Sequence, residues 1–258
     1  MTNTLRSLFA LVVAAVALTA AVVASAEPSM PATRPATSPA AIAAGAERTQ
    51  SPALRVAKVP VGPAAVIRIE GQVDDYMRDQ LFRRFDRARK AGAKTVIVEV
   101  DTYGGLVSSG LDISRFLKNQ NDLYVVAFVN SKAISAGAMI AMACDEIVMT
   151  PSGTLGDCAP IQVAPGGGGV VPMGQTERSK AESPILADFR ESAARNGHDP
   201  VLAVAMVSIP YTAYWVQDGT GTRKFVDADE YKRLTADGGG WAAVPGEPTP
   251  IDGPDTLL

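Results

Sequence analysis

Two adjoining stretches decide how this chain folds: "LYVVAFV", Leu123 to Val129, and "NSKAISAGAMIAMACDEIVM", Asn130 to Met149. The first is β-branched and aromatic without a charge, the composition of a buried strand. The second gathers Ser, Ala and Gly at the front of an apolar run, so "SAGAMIAMAC" reads as a buried helix and "DEIVMTP", Asp145 to Pro151, as a further short strand. A strand that hands over to a helix and then to another strand is a unit whose strands run parallel.

The same rhythm extends upstream. "AAVIRIEG" (Ala64 to Gly71) reads as a strand, and "DDYMRDQLFRRFDRARKAG" (Asp74 to Gly92) as an amphipathic helix with Tyr76, Leu81, Phe82 and Phe85 at helical spacing and Gly92 at its end. "KTVIVEVD" (Lys94 to Asp101) is the next strand, "LVSSGLDISRFLKNQ" (Leu106 to Gln120) the next helix, and Asp122 to Asn130 the strand after it. Alternation of this kind predicts an α/β fold with a parallel sheet and right-handed crossovers.

Of 258 residues, 47% are apolar and 20% charged, and the net charge is −3. That balance suits one good-sized domain with added segments and gives no general attraction to nucleic acid or anionic membrane. The start, "MTNTLRSLFALVVAAVALTAAVVASAEP", has a basic residue, an apolar run from Leu8 to Val23 and Ala24-Ser25-Ala26, the pattern of a secretory signal over residues 1–26. An uncleaved membrane anchor is the alternative. Both place the rest of the chain outside the cytoplasm, periplasmic or otherwise extracytoplasmic. Residues 27–63, rich in Pro, Ala, Ser and Thr, lack a sustained apolar period and read as a flexible tether. Cys144 and Cys158 have no metal-like spacing; one disulfide or two buried thiols are the two readings.

In a parallel sheet, ligands bind beyond the carboxyl ends of the strands. Two such ends stand out. In "DTYGG" (Asp101 to Gly105), the glycines leave the main chain approachable by a ligand. In "SKAISAG" (Ser131 to Gly137), Ser135 falls at a helix start, where unpaired N–H groups and a partial positive charge gather. Small neighbours permit close approach, and an N–H from the Gly-Gly turn would complete an oxyanion hole. The plainer reading is that Ser135 is only the helix N-cap, with small residues permitting tight packing.

"VDTYGGLVSSGLDI" and "SKAISAGAMIAMACDEIVMTPSGTLGDCAPI" together resemble the ClpP/crotonase superfamily, and within it the NfeD group of membrane-associated serine proteases, related to signal peptide peptidase A. The likeness runs from Ala64 to Val207, giving a ClpP-like domain at 64–207 and an extension at 208–258. The resemblance implies stacked β/α units, Ser135 as nucleophile, the N–H groups of Gly105 and Ala136 as oxyanion donors, and Tyr103, Gly104 and Leu106 beside the substrate. The family's general base is a lysine some forty residues beyond the serine, which places it on Lys180 in "PGGGGVVPMGQTERSKAESPILADFRESAARNG". It further implies apolar peptide substrates, among them tails of stomatin-like membrane proteins, self-association, and no metal or organic cofactor. Tyr103 stands where the family commonly has Pro. The part after Met206 does not map onto the family core, and the membrane-spanning helices and terminal barrel of many NfeD proteins have no counterpart, so the stop at "PDTLL" suits a shortened relative or an incomplete product.

A serine hydroxyl needs a base. His198 in "RNGHDP", the one histidine, is expected exposed in a loop after a helix from Ile185 to Arg195, and adjacent Asp199 is poorly placed to orient it. A solvated lysine at pH 7 costs about 4.6 kcal/mol to deprotonate, so a lysine base requires desolvation. The "TERSKAESP" surroundings of Lys180 look solvated, with Glu177 and Glu182 close by; substrate is expected to complete the burial. Lys132, three residues before Ser135, is a rival expected to be exposed in the approach loop.

"PGGGGV" (Pro165 to Val170) lacks the ending of a phosphate-binding loop and reads as a flexible lip of the substrate groove. "YTAYWVQDGTGTRKFVD" reads as a hairpin in which Tyr214 and Trp215 are core, and "DADEYKRL" as a short helix with Asp227 and Glu230 as a capping box. Three functions follow: an exported Ser-Lys endopeptidase, a binding or scaffolding module on the same fold without turnover, and acyl-CoA chemistry of the crotonase type, against which export argues.

Overall fold

β1 (Ala64–Val73), β2 (Thr95–Gly105), β3 (Tyr124–Ile134) and β4 (Glu146–Met149) lie side by side in that order, all parallel. The computed structural model describes residues 62–252 apart from 165, 167, 168 and 237, within the unit Val56–Leu258. The secretory pattern at 1–26 and nearly all of the tether at 27–63 lie outside the described residues.

The α/β expectation holds, with parallel β/α units throughout the sheet. Two strands run further than their apolar runs. β2 continues through "DTYGG" to Gly105, and β3 continues through "NSKAI" to Ile134. Past Val129, β3 leaves β4 and pairs instead with β5 (Thr154–Gly156), matching Lys132 with Thr154 and Ile134 with Gly156. A polar strand end can stay in a sheet when its side chains reach solvent or a groove.

Helix α1 (Asp75–Lys90) buries Leu81, Phe85 and Ala88 on one stripe, and its N-cap Asp74 accepts a bond from Met77 N at 2.8 Å. Tyr76, expected on that stripe, is 70% exposed. Phe116 of α2 (Val107–Lys118) stacks on Phe82 with centroids 4.1 Å apart and meets Phe85 edge-on.

Helix α3 (Ala136–Ala143) is buried along every residue, as a helix that is apolar all round must be. Its small residues make this possible. A Cβ on Gly137 would stand 2.6 Å from Thr102 Cγ2 of β2, and one on Gly110 of α2 would stand 3.0 Å from Ala136 Cβ. The far side of α3 (Ala138, Met139, Met142) packs into a second core with Ile185 and Phe189.

Those two come from α4 (Gln175–Asn196), a 22-residue helix that begins ten residues before the expected Ile185 and contains Pro184. Proline removes the bond to the carbonyl four residues back, that of Lys180. The later half of α4 is tied to α2 by a buried ion pair: Lys118 Nζ lies 2.8 Å from Asp188 Oδ1, the side chains are 6% and 9% exposed, and Ser114 Oγ donates to the same carboxylate.

After α5 (Pro200–Ala205), the hairpin arrives as expected: β8 (Ala213–Asp218) pairs antiparallel with β9 (Arg223–Asp227), and β10 (Trp241–Ala243) joins the other edge of β8. Tyr214 stacks on Tyr231 of α6 (Ala228–Thr235) and Trp215 on Phe225. Asp227 caps α6 through Glu230 N at 2.8 Å, but the Glu230 carboxylate goes to Lys224, so the capping box is half made.

Candidate active site

Ser135 occupies the single residue between β3 and α3, with φ 54° and ψ −118°. An L-residue held there costs about 1–3 kcal/mol. The turn is sharp because α3 must double back onto the sheet that β3 has just left. Ser135 N donates to Gly156 O at 2.9 Å, and Ser135 O accepts the first helical bonds from Ala138 N and Met139 N. The residue stands at the N-cap position, yet its side chain makes no capping bond. The hydroxyl is left for other work, and the plain capping reading falls away.

The "TYGG" turn faces it. A Cβ on Gly104, whose φ is 103°, would lie 2.6 Å from Ser135 Cβ and 3.0 Å from Oγ. A Cβ on Gly105 would run into the main chain of Val73. Thr102 Oγ1 takes the Gly104 N–H at 2.9 Å and donates to Gly71 O, while Leu106 N donates to Val73 O. With the Gly104 amide engaged, that of Gly105 is the candidate donor from this turn. Tyr103, at the place where proline is common, is 78% exposed and leaves this hydrogen bonding intact. Ala136 is buried in the first turn of α3, where helix amides lack an intrahelical acceptor.

Ser135, Tyr103, Gly104, Gly105 and Leu106 all line one groove of about 1000 Å³. Val163 of a two-stranded ribbon, β6 (Gln162–Val163) with β7 (Val170–Val171), also lines it, while Pro165, Gly167 and Gly168 of the expected glycine-rich lip lie outside the described residues. Ile161 is 68% exposed and lines the groove with Val163.

The two lysines are placed differently from expectation. Lys132 lies on β3 rather than in a loop, lines the groove, and is paired: Nζ is 2.7 Å from Asp101 Oδ1 and 4.6 Å from the centre of the Tyr103 ring. The Asp101 bond holds the ammonium above the ordinary lysine range, so Lys132 is a poor proton acceptor. Lys180 is exposed on α4 and is not among the groove's lining residues. Glu182, two residues on, is buried rather than solvated; its Oε1 has no hydrogen-bond partner, and burial raises its carboxyl above the usual range.

His198 is half-buried rather than exposed, and burial lowers its pKa. It lies by Met142 O, near the opposite end of α3 from Ser135, about 10 Å away by helix rise. That separation excludes it as the base in this arrangement. Cys144 and Cys158 are both free and buried, so the disulfide reading is overturned. Among the described residues no acidic, cysteine or histidine cluster could hold a metal ion.

Three participants escaped sequence reading: Asp101 as partner of Lys132, Thr102 as anchor of Gly104, and the Gly156–Cys158 turn against Ser135. Only the last had a signal, a glycine at the end of "TLG" directly before Asp157.

Residues 64–230 match the family described as NfeD1b, N-terminal domain. The chain belongs to that family. It is 32% identical over 177 residues to the membrane protein NfeD1b of Bacillus subtilis, a match covering 67% of this chain and 38% of that protein. It is 33% identical over 99 residues to the membrane-bound protease PH1510 of Pyrococcus horikoshii, covering 37% of this chain and 22% of that protein. The chain thus spans well under half the length of either relative. A solved serine-to-alanine variant of the 1510-N membrane-bound stomatin-specific protease superposes with a TM-score of 0.49 at 23% identity, over 66% of this chain and 75% of that one. Both relatives carry membrane in their names. No helix among the described residues of this NfeD1b-type domain is long and apolar enough to cross a membrane.

Proposed function

We propose that this NfeD1b-type domain is an exported serine endopeptidase. Ser135 is the nucleophile, the N–H groups of Gly105 and Ala136 hold the oxyanion, and Lys180 is the general base. The observation that carries the reading is the positive-φ turn at Ser135, which presents an uncapped hydroxyl against Gly104 in a groove. In the reaction, Ser135 Oγ adds to the scissile carbonyl while its proton passes to the lysine amine. The lysine returns that proton to the departing amine, and a water, deprotonated by the same lysine, releases the acyl group.

Since Lys180 lies outside the groove, the dyad forms only when a peptide fills the groove and the start of α4 closes over it. Exposed Tyr103, Leu106, Ile161 and Val163 favour an apolar peptide, such as the tail of a stomatin-like membrane protein. Self-association belongs to the same proposal and is read by sedimentation.

The test incubates the full chain with apolar peptides and with a fluorophosphonate. Wild type is expected to cleave and to be labelled at Ser135, and Ser135→Ala to do neither. Cleavage that survives Ser135→Ala removes the proposal. A second reading, a peptide-binding module without turnover, is favoured by the exposure of Lys180 together with the Asp101 lock on Lys132. It predicts peptide binding with no cleavage and no label.

A further inference from the structure

One short turn grips Ser135 at both its N–H and its C=O. β5 closes at Gly156 (φ 137°), and Asp157 follows at φ 50°, so two successive positive-φ residues reverse the chain and lay 156–158 along the serine. Gly156 O receives the Ser135 N–H at 2.9 Å. Cys158 Sγ lies 2.7 Å from Ser135 O, a carbonyl that also accepts from Ala138 N and Met139 N.

Cys158 is itself fixed. Its N–H donates to Met206 O at 2.7 Å, and the residue is 2% exposed in the core of Met139, Met142 and Phe189. Burial raises the thiol well above its ordinary range, so it remains an S–H donor facing an acceptor. The other buried cysteine supplies a contrast: Cys144 Sγ reaches only Ile140 O, one turn back, at 3.4 Å.

Building on Ser135 as the nucleophile, we infer that Cys158 is a positioning residue, whose thiol donates to the Ser135 carbonyl and holds the serine in its positive-φ turn. The serine conformation is strained, so each bond to its peptide group opposes relaxation toward negative φ, which would swing Oγ away from Gly104. A hydroxyl at the same place, on a slightly shorter bond, still reaches the carbonyl as a donor, whereas a methyl group donates nothing.

The experiment measures fluorophosphonate labelling of the full chain at several reagent concentrations, separating reagent affinity from maximal rate. Wild type is compared with Cys158→Ala, Cys158→Ser and Cys144→Ala. Cys158→Ala is expected to slow maximal labelling about fivefold at unchanged affinity. Cys158→Ser, which keeps a donor, recovers most of that loss, and Cys144→Ala changes nothing. Should Cys158→Ala not fold, Cys158→Val, which also lacks a donor, carries the comparison, with a rate below wild type. The infrared S–H band that disappears on substituting Cys158 is expected at lower frequency than the band belonging to Cys144. A wild-type labelling rate in a Cys158 variant that lacks a donor, or a Cys158 band at the position of an unbonded thiol, overturns the inference. Should wild type take no label, the hydrolase reading fails and the infrared band alone decides whether the thiol holds the turn.

Discussion

The junction of β3 with α3 and the first turns of α4 carry the two proposed partners, and they are built in opposite ways. At the junction, Ser135 is bonded through N–H and C=O, faced by a glycine, and backed by a helix buried along its whole length. At the start of α4, Lys180 is exposed, its carbonyl faces a proline four residues on, and nearby Glu182 is buried with an unpartnered oxygen. The contrast separates two needs. A nucleophile and its oxyanion donors must be set before substrate arrives, because their geometry is the catalytic contribution. A lysine base needs water removed, and an arriving peptide can supply that.

The strongest way to break the comparison is to remove the lysines one at a time. Lys180→Met is expected to reduce peptide cleavage about a thousandfold, while stability in urea stays within about 0.5 kcal/mol of wild type. Lys132→Met is expected to leave most activity. The reverse outcome would transfer the base to the groove lysine.

Next in size is the anchor of α4. Lys118→Ala leaves the Asp188 carboxylate buried without its cation, and urea titration is expected to read a loss of about 3–5 kcal/mol. Gly105→Ala tests the junction itself. The added methyl must displace the main chain of β1, and a loss of about 3 kcal/mol is expected by the same measurement.

The smallest effect concerns Glu182, whose folded-state pKa is raised. The stability this shift contributes is full below the unfolded carboxyl pKa and is lost as pH rises through the folded value. Glu182→Gln is therefore expected to be more stable than wild type near pH 7, by roughly 1 kcal/mol, with the gain shrinking toward pH 4. Thermal melts across that range check the sign.

The junction was legible in the sequence, and the start of α4 much less so. Ser135, Gly104 and Gly105 announce themselves through residue size, because a close approach excludes side chains and leaves a run of small residues behind, whereas Tyr103 and Leu106 follow only from the family resemblance. Lys180 is marked only by the family's spacing, which sets it just before a helix; here it lies within α4, and Pro184 sits inside the same helix. The Lys132–Asp101 pair joins residues 31 apart in the chain. They become neighbours only through the register of β2 against β3, which shifts between Val100 and Thr102. Residue types do not encode such a shift. His198 departs from its expected exposure for a similar reason: the loop that follows α4 folds back against the end of α3.

Pro184 has a mechanical consequence. It divides α4 into a stem moored to α2 by Lys118 and Asp188, and a leading arm that lacks one rung of its ladder at Lys180. Unwinding the arm then disturbs less than unwinding the stem, and the molecule can bend there without losing its foundation. Backbone amides of residues 179–183 should exchange with deuterium sooner than those of 186–193, and a peptide seated in the groove should narrow that gap.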